Sequence, residues 1–154
     1  MTRTPSKRTT RSIQEFLGAD HKRCDELFSQ LEQAAQANDV TQAALLFGQF
    51  RTGMDHHFGM EENIFFPAFE KSTGMTQGPT MVMRMEHRQM SGLIGQMAQA
   101  MEQNKLDGVT RVISTLVIMM RQHNIKEEQM LYPMADQYLD GTTDSLIRTM
   151  QKLV

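Results

Sequence analysis

The sequence predicts an all-α fold, an antiparallel up-down-up-down four-helix bundle with a short C-terminal helix. Three observations lead there. Apolar residues recur at alternating steps of three and four through four stretches of about 25 residues, the period of a helix face packed on a core. β-branched runs are few, and the four prolines, at 5, 67, 79 and 133, fall at or near element boundaries. The chain also repeats itself at an offset of 66 residues. His57-Phe58-Gly59-Met60-Glu61-Glu62-Asn63-Ile64-Phe65-Phe66-Pro67 returns as His123-Asn124-Ile125-Lys126-Glu127-Glu128-Gln129-Met130-Leu131-Tyr132-Pro133, and Asp20-His21 returns as Glu86-His87. A duplicated two-helix hairpin accounts for this pattern.

The first helix is expected from about Ser12 to Ala37. Ser12 with Glu15 has capping-box spacing. The stripe runs through Ile13, Phe16/Leu17, His21, Cys24, Leu27/Phe28, Leu31 and Ala34/Ala35, with Asn38-Asp39 as the turn. The second spans about Thr41 to Phe66, or on to Lys71. Its stripe is Leu46/Phe47, Phe50, Met54, His57, Glu61, Ile64/Phe65 and Ala68, and Pro67 is expected to kink or end it. Residues 72–78 form the one long connection. The third begins at Gly78-Pro79, where proline suits a first turn, and runs to about Gln103 on Met83, His87, Met90, Ile94, Met97 and Met101. Asp107 is expected to cap the fourth, from about Val109 to Tyr138. Its stripe is Val109, Val112/Ile113, Leu116, Met120, His123, Glu127, Met130/Leu131 and Met134. Asp140-Gly141 stops it, and a terminal helix from Thr143 to Leu153 packs across the bundle or frays.

Length and charge limit the function classes. The 154 residues fit one domain, expected over 12–154 behind a flexible basic tail at 1–11. A formal net charge of −2 argues against nucleic acid or an anionic membrane as partner. No apolar run approaches the length of a membrane span or a secretory leader. Cys24 is the single cysteine and cannot close an internal disulfide, which fits a reducing, cytoplasmic location. The 15 methionines lie mostly on the stripes and read as core filler. The sequence does not fix the oligomeric state.

The seam residues carry the chemistry. Residues four apart on a helix project together, so His57 pairs with Glu61 and His123 with Glu127, both on apolar seams. His21 and His87 each lie 36 positions before the histidine of their own half. Ionised glutamates in a core are costly unless their charge is compensated, and two that converge repel each other. Four histidines and two glutamates at one point are reconciled by bound cations, of a kind that accepts nitrogen and oxygen: Fe, Zn, Cu or Mn. Four nitrogens, two bridging carboxylates and a bridging oxo or hydroxo group fill about ten of the roughly twelve positions of two octahedral ions. About two stay open for a small ligand.

This arrangement, a lone His, then His-x-x-x-Glu, a lone His, then His-x-x-x-Glu, each ending in Glu-Glu-x-apolar-apolar-apolar-Pro, resembles the hemerythrin-like (HHE) domains over residues 12 to 139. The resemblance implies metal ligands at His21, His57, Glu61, His87, His123 and Glu127. It also implies a non-haem di-iron centre that meets dioxygen, nitric oxide or peroxide. Oxygen-carrying hemerythrins pair two histidines on the third helix and place an Asp on the fourth; here Met83 and Ser91 flank His87 and Glu127 stands instead. The pattern is closer to the branch that includes iron–sulfur-cluster repair proteins, which usually carry a cysteine-containing N-terminal domain that this chain lacks. The expected function is a di-iron protein that binds or reduces a small diatomic or peroxide, with two irons bridged by oxo or hydroxo. The rival is a non-catalytic iron or oxygen sensor or metal-binding module. Around the site, His56 reads as a surface group, Asp25 as a solvated acid and Cys24 as core. Glu62 and Glu128 read as salt-bridge or hydrogen-bond partners. Tyr132 and Tyr138 read as packing residues, with a place near the site, where a phenolate can ligate iron, as the alternative.

Overall fold

The protein, seen in a computed structural model that describes residues 11–153, is helical throughout these residues and has no strand among them. The expected basic tail lies outside the described residues except for Arg11, which is exposed. The elements are α1 (Ile13–Gln36), α2 (Val40–Met60), α3 (Phe66–Thr73), α4 (Pro79–Glu102), α5 (Leu106–Lys126), α6 (Tyr132–Tyr138) and α7 (Thr143–Gln151). Two five-residue π-helical turns, Glu61–Phe65 and Glu127–Leu131, join α2 to α3 and α5 to α6 without breaking the helical course. No described helix is long and apolar enough to cross a membrane.

Local chemistry sets the boundaries. Ser12 Oγ accepts from the Glu15 amide at 3.0 Å and so caps α1 as the capping-box spacing implies. The Asp136 carboxylate adds a second cap, taking the amides of Ile13 and Gln14 at 2.7 and 3.2 Å. Asn38 and Asn104 occupy the left-handed region at φ 54° and 53°, and they are 66 residues apart, so the repeat extends to its turns. Asp39 then caps α2 by accepting from the Gln42 amide at 3.1 Å. Asp107 does not cap α5. That helix starts a turn earlier than expected, at Leu106, and Asp107 sits inside its first turn, where an acid still favours the positive end of the helix dipole.

Pro67 neither ends nor sharply breaks its helix, because the π-helical turn before it absorbs the irregularity. Through each turn the amides pair five residues back: Phe66 donates to the Glu61 carbonyl and Tyr132 to the Glu127 carbonyl. In that register Pro67 and Pro133 fall where an amide would have served the carbonyls of Glu62 and Glu128. Side chains take those carbonyls instead. Gln14 Nε2 donates to Glu128 O at 2.8 Å, and Arg84 Nη1 reaches Glu62 O at 3.4 Å. The extra residue in each turn also rotates the helix beyond it. Met130, expected on the buried stripe, is 64% exposed, while Tyr132, two positions on, is fully buried.

The core forms two clusters. One contains Phe28, Leu31, Phe50, Met90, Ile94, Met97 and Leu116; the other contains Ile13, Leu17, Phe65, Phe66, Phe69, Leu131, Tyr132, Ile147 and Met150. α7 belongs to the second cluster through Ile147 and Met150, so it packs on the bundle. His56 Nε2 donates to the Leu153 carbonyl at 2.9 Å and holds the end of the chain there.

Candidate metal centre

A polar layer divides the two clusters, and each long helix contributes one histidine to it. Along α1, His21 stands between Leu17 of one cluster and Cys24 of the other; on α4, His87 stands between Met83 and Met90. His57 and His123 occupy the matching places near the ends of α2 and α5, and Glu61 and Glu127 follow as the first residues of the π-helical turns. All six side chains expected from the sequence are brought together, and all are buried, both glutamates completely.

Each of the four site histidines is gripped from outside by a carboxylate at Nδ1. His57 donates to Asp20 at 2.8 Å, His123 to Glu86 at 2.9 Å, His87 to Glu62 at 3.1 Å and His21 to Glu128 at 3.2 Å. An ionised carboxylate can only accept, so Nδ1 carries a proton and Nε2 is the nitrogen turned inward, free to bind a metal ion once it has given up any proton of its own. There Glu61 Oε1 lies 3.1 Å from His57 Nε2 and 3.2 Å from His87 Nε2, while Glu127 Oε1 lies 3.1 Å from His21 Nε2 and 3.0 Å from His123 Nε2. Each glutamate therefore joins a histidine of the first hairpin to one of the second.

Of these four contacts, only that between His21 Nε2 and Glu127 Oε1 is a hydrogen bond. The Nε2 atoms of His57, His87 and His123, with Glu61 Oε1 and Glu127 Oε2, have no hydrogen-bond partner although they are buried. Buried polar atoms left unpaired are costly, and these converge on one point. The donor set fits transition-metal ions, which accept imidazole nitrogen and carboxylate oxygen together. Two groups have ligand atoms all within 4.8 Å of one another: Glu61, His87, His123 and Glu127, and His21, His57 and Glu127. Glu127 belongs to both.

Protons can compensate the glutamates in part. Burial disfavours charge on His87, but its contacts with Glu61 and Glu62 and the negative charge of Glu61 and Glu127 outweigh that and lift it to about 9. His57 is likewise raised, against burial, by Glu61 and Asp20. Glu61 is held well below the usual carboxylate range, its burial more than offset by His57 and the other site residues. Asp20 is pulled down to about 2 in spite of burial by hydrogen bonds from His57 and Arg23.

Several residues add to their sequence expectation. Tyr132 packs in the second core cluster, as expected, and its hydroxyl also enters the site: it donates to Glu61 Oε2 at 2.8 Å and lies 3.2 Å from both Glu127 Oε1 and His21 Nε2. The π-helical turn brings it to the face of Glu127, and its repeat equivalent is Phe66. Asp20 and Glu86 orient His57 and His123. They went unassigned in the sequence although the repeat aligns them, one position before His21 and His87. Glu62 and Glu128 do bond to histidines, as expected. Among the described residues His56 bonds to the Leu153 carbonyl, and neither it nor Asp25 shares a hydrogen bond or ion pair with the six. Cys24 is buried beside His21 and His57, where with Met54, Met90 and Met120 it helps wall a cavity of about 10 Å³, room on the order of one water-sized molecule.

The model of one protein family, the hemerythrin HHE cation-binding domain, matches residues 12–135. No curated protein and no solved structure matches the chain.

Proposed function

We infer, from the premise that this chain belongs to the hemerythrin HHE cation-binding domain family, that it is a non-haem di-iron protein which binds or reduces dioxygen, nitric oxide or peroxide. The observation that carries this reading is the set of buried, unpaired imidazole nitrogens and carboxylate oxygens, each imidazole already fixed by an outer carboxylate. His21 and His57 would hold one ion and His87 and His123 the other, with Glu61 and Glu127 between the two. The iron pair, when bound, supplies redox chemistry and open positions for a small ligand. The chain's own residues fix the ligand atoms, keep bulk water out and limit what enters through the small cavity beside His21, His57 and His123. The helices run in an antiparallel up-down-up-down course, in one domain that works in the reducing cytosol.

A second reading, a non-catalytic iron or oxygen sensor, is favoured by the position of the polar layer between the two core clusters, because gain or loss of metal there alters the stability of the whole bundle. Metal analysis and turnover distinguish the two. The enzyme reading expects consumption of excess peroxide or nitric oxide by the iron-loaded protein, and the sensor reading expects none, with a change of stability or association on iron loss. Both require Glu61→Ala to lower bound iron strongly; unchanged iron in that variant overturns the site.

A further inference from the structure

We propose that Tyr132 is a seventh protein ligand of this centre, binding as a phenolate to the ion held by His21, His57 and Glu127. The proposal rests on the di-iron reading above and adds a residue to it. At bond lengths of roughly 2.0–2.1 Å, adjacent ligand atoms of one ion lie about 2.9 Å apart at octahedral angles and about 3.4 Å apart at tetrahedral ones. The close histidine–glutamate pairs of the site span 3.0 to 3.2 Å. Tyr132 Oη stands at the same spacing from three of the ligand residues, 2.8 Å from Glu61 Oε2 and 3.2 Å from Glu127 Oε1 and His21 Nε2.

The ligand groups also differ in a way Tyr132 makes up. One is formed by four residues, the other by three, His21, His57 and Glu127, and the tyrosine oxygen lies against two of those three. The repeat gives the other ion no counterpart, because the equivalent residue is Phe66. The surroundings are unequal in the same sense. His87 has Phe58 stacked at 4.0 Å and Phe66 at 5.6 Å between ring centroids, whereas the residues equivalent to those two phenylalanines are Asn124 and Tyr132. Tyr132 is fully buried and its ring stacks on His21 at 5.6 Å, so its position is fixed by packing. Phenolate oxygen is an established donor to iron. Ligation forms an iron–oxygen bond and breaks the Oη–H bond, the proton leaving to solvent as ligand protons do on metal binding.

The test is the visible spectrum and resonance Raman spectrum of the iron-loaded, air-oxidised protein, beside Tyr132→Phe and Tyr138→Phe. Expected are a phenolate-to-iron(III) charge-transfer band with enhanced phenolate ring modes in the wild type. Both should persist in Tyr138→Phe and be absent in Tyr132→Phe. A wild type that carries its irons and oxo-bridge absorption but no phenolate modes overturns the ligand and leaves the di-iron centre standing, with Tyr132 a hydrogen-bond donor only. A protein that takes up no iron removes the underlying reading and this proposal with it. The wild-type Raman spectrum decides even if Tyr132→Phe folds poorly.

Discussion

At the scale of single residues, the distinction that matters is between atoms facing inward and atoms facing out. Asp20, Glu62, Glu86 and Glu128 touch the outer nitrogen of the four histidines and so select the tautomer that leaves the inner nitrogen free. Loss of such a partner costs about 10- to 100-fold in metal affinity. Asp20→Asn is therefore expected to weaken iron binding by that order, measured by competition with a chelator, while His56→Ala, which loses only its bond to the Leu153 carbonyl, leaves it near wild type. The six inner residues were readable because periodicity put charged groups on apolar seams and the repeat tied them together. The outer carboxylates were less so, since an acid one position off the seam looks like any solvated acid until its partner is seen. The same residues set a pH dependence. His87 moves from its ordinary 6.5 to about 9 in the folded chain. Its contribution to the metal-free protein is thus complete below about 6.5 and is lost as pH rises to about 9. Thermal unfolding of chelator-treated protein should show a midpoint that falls over that window. A flat or rising midpoint contradicts the assigned shift. Iron affinity should rise over the same window, because the ligand nitrogen must be free of its proton.

At the scale of elements, the caps and the π-helical turns do different work. Asp39 is a side-chain cap on α2 with a single bond to the Gln42 amide, so Asp39→Ala should cost about 1 kcal/mol in denaturant unfolding and leave iron content unchanged. Helix positions were well read from the apolar stripes, and boundaries missed by a turn or less. The missed start of α5 comes from weak local signals: Lys105 precedes that helix with no side-chain cap, so Asp107 looked like the better beginning. The π-helical turns were missed for a more general reason. One inserted residue leaves the sequence pattern on either side intact and shifts only the phase between them, which is why Met130, on the expected stripe, is exposed while Tyr132, off it, is fully buried. The sign was present as a proline six residues after each ligand glutamate. With five-back pairing, the carbonyls of Glu62 and Glu128 must be served by side chains. Such turns are frequent at functional sites, and here both begin at a glutamate of the candidate site.

At the scale of the whole molecule, the site is the joint between two core clusters. Candidate ligands on four helices and from both halves of the repeat converge on it, so a metal ion that binds there in the folded state alone would stabilise the assembly by mass action. Removal of iron is expected to lower the thermal midpoint and to speed amide exchange in residues around the layer, such as Cys24 and Met90. Equal midpoints with and without iron contradict a site that joins the clusters. The bundle class and its repeat were evident from sequence because they rest on periodicity over long stretches; the inequality of the two halves was not, because Phe66 and Tyr132 differ by one oxygen and only their place in the fold gives that oxygen a role. The most direct test of the central claim is the iron content per folded chain of the wild type beside His21→Ala and His123→Ala. The account predicts about two irons, as two nitrogen- and oxygen-liganded ions require, and a marked loss in each variant, one ligand having been removed from each ion. Folded wild-type protein with no iron, or with iron unaffected by both substitutions, would contradict it.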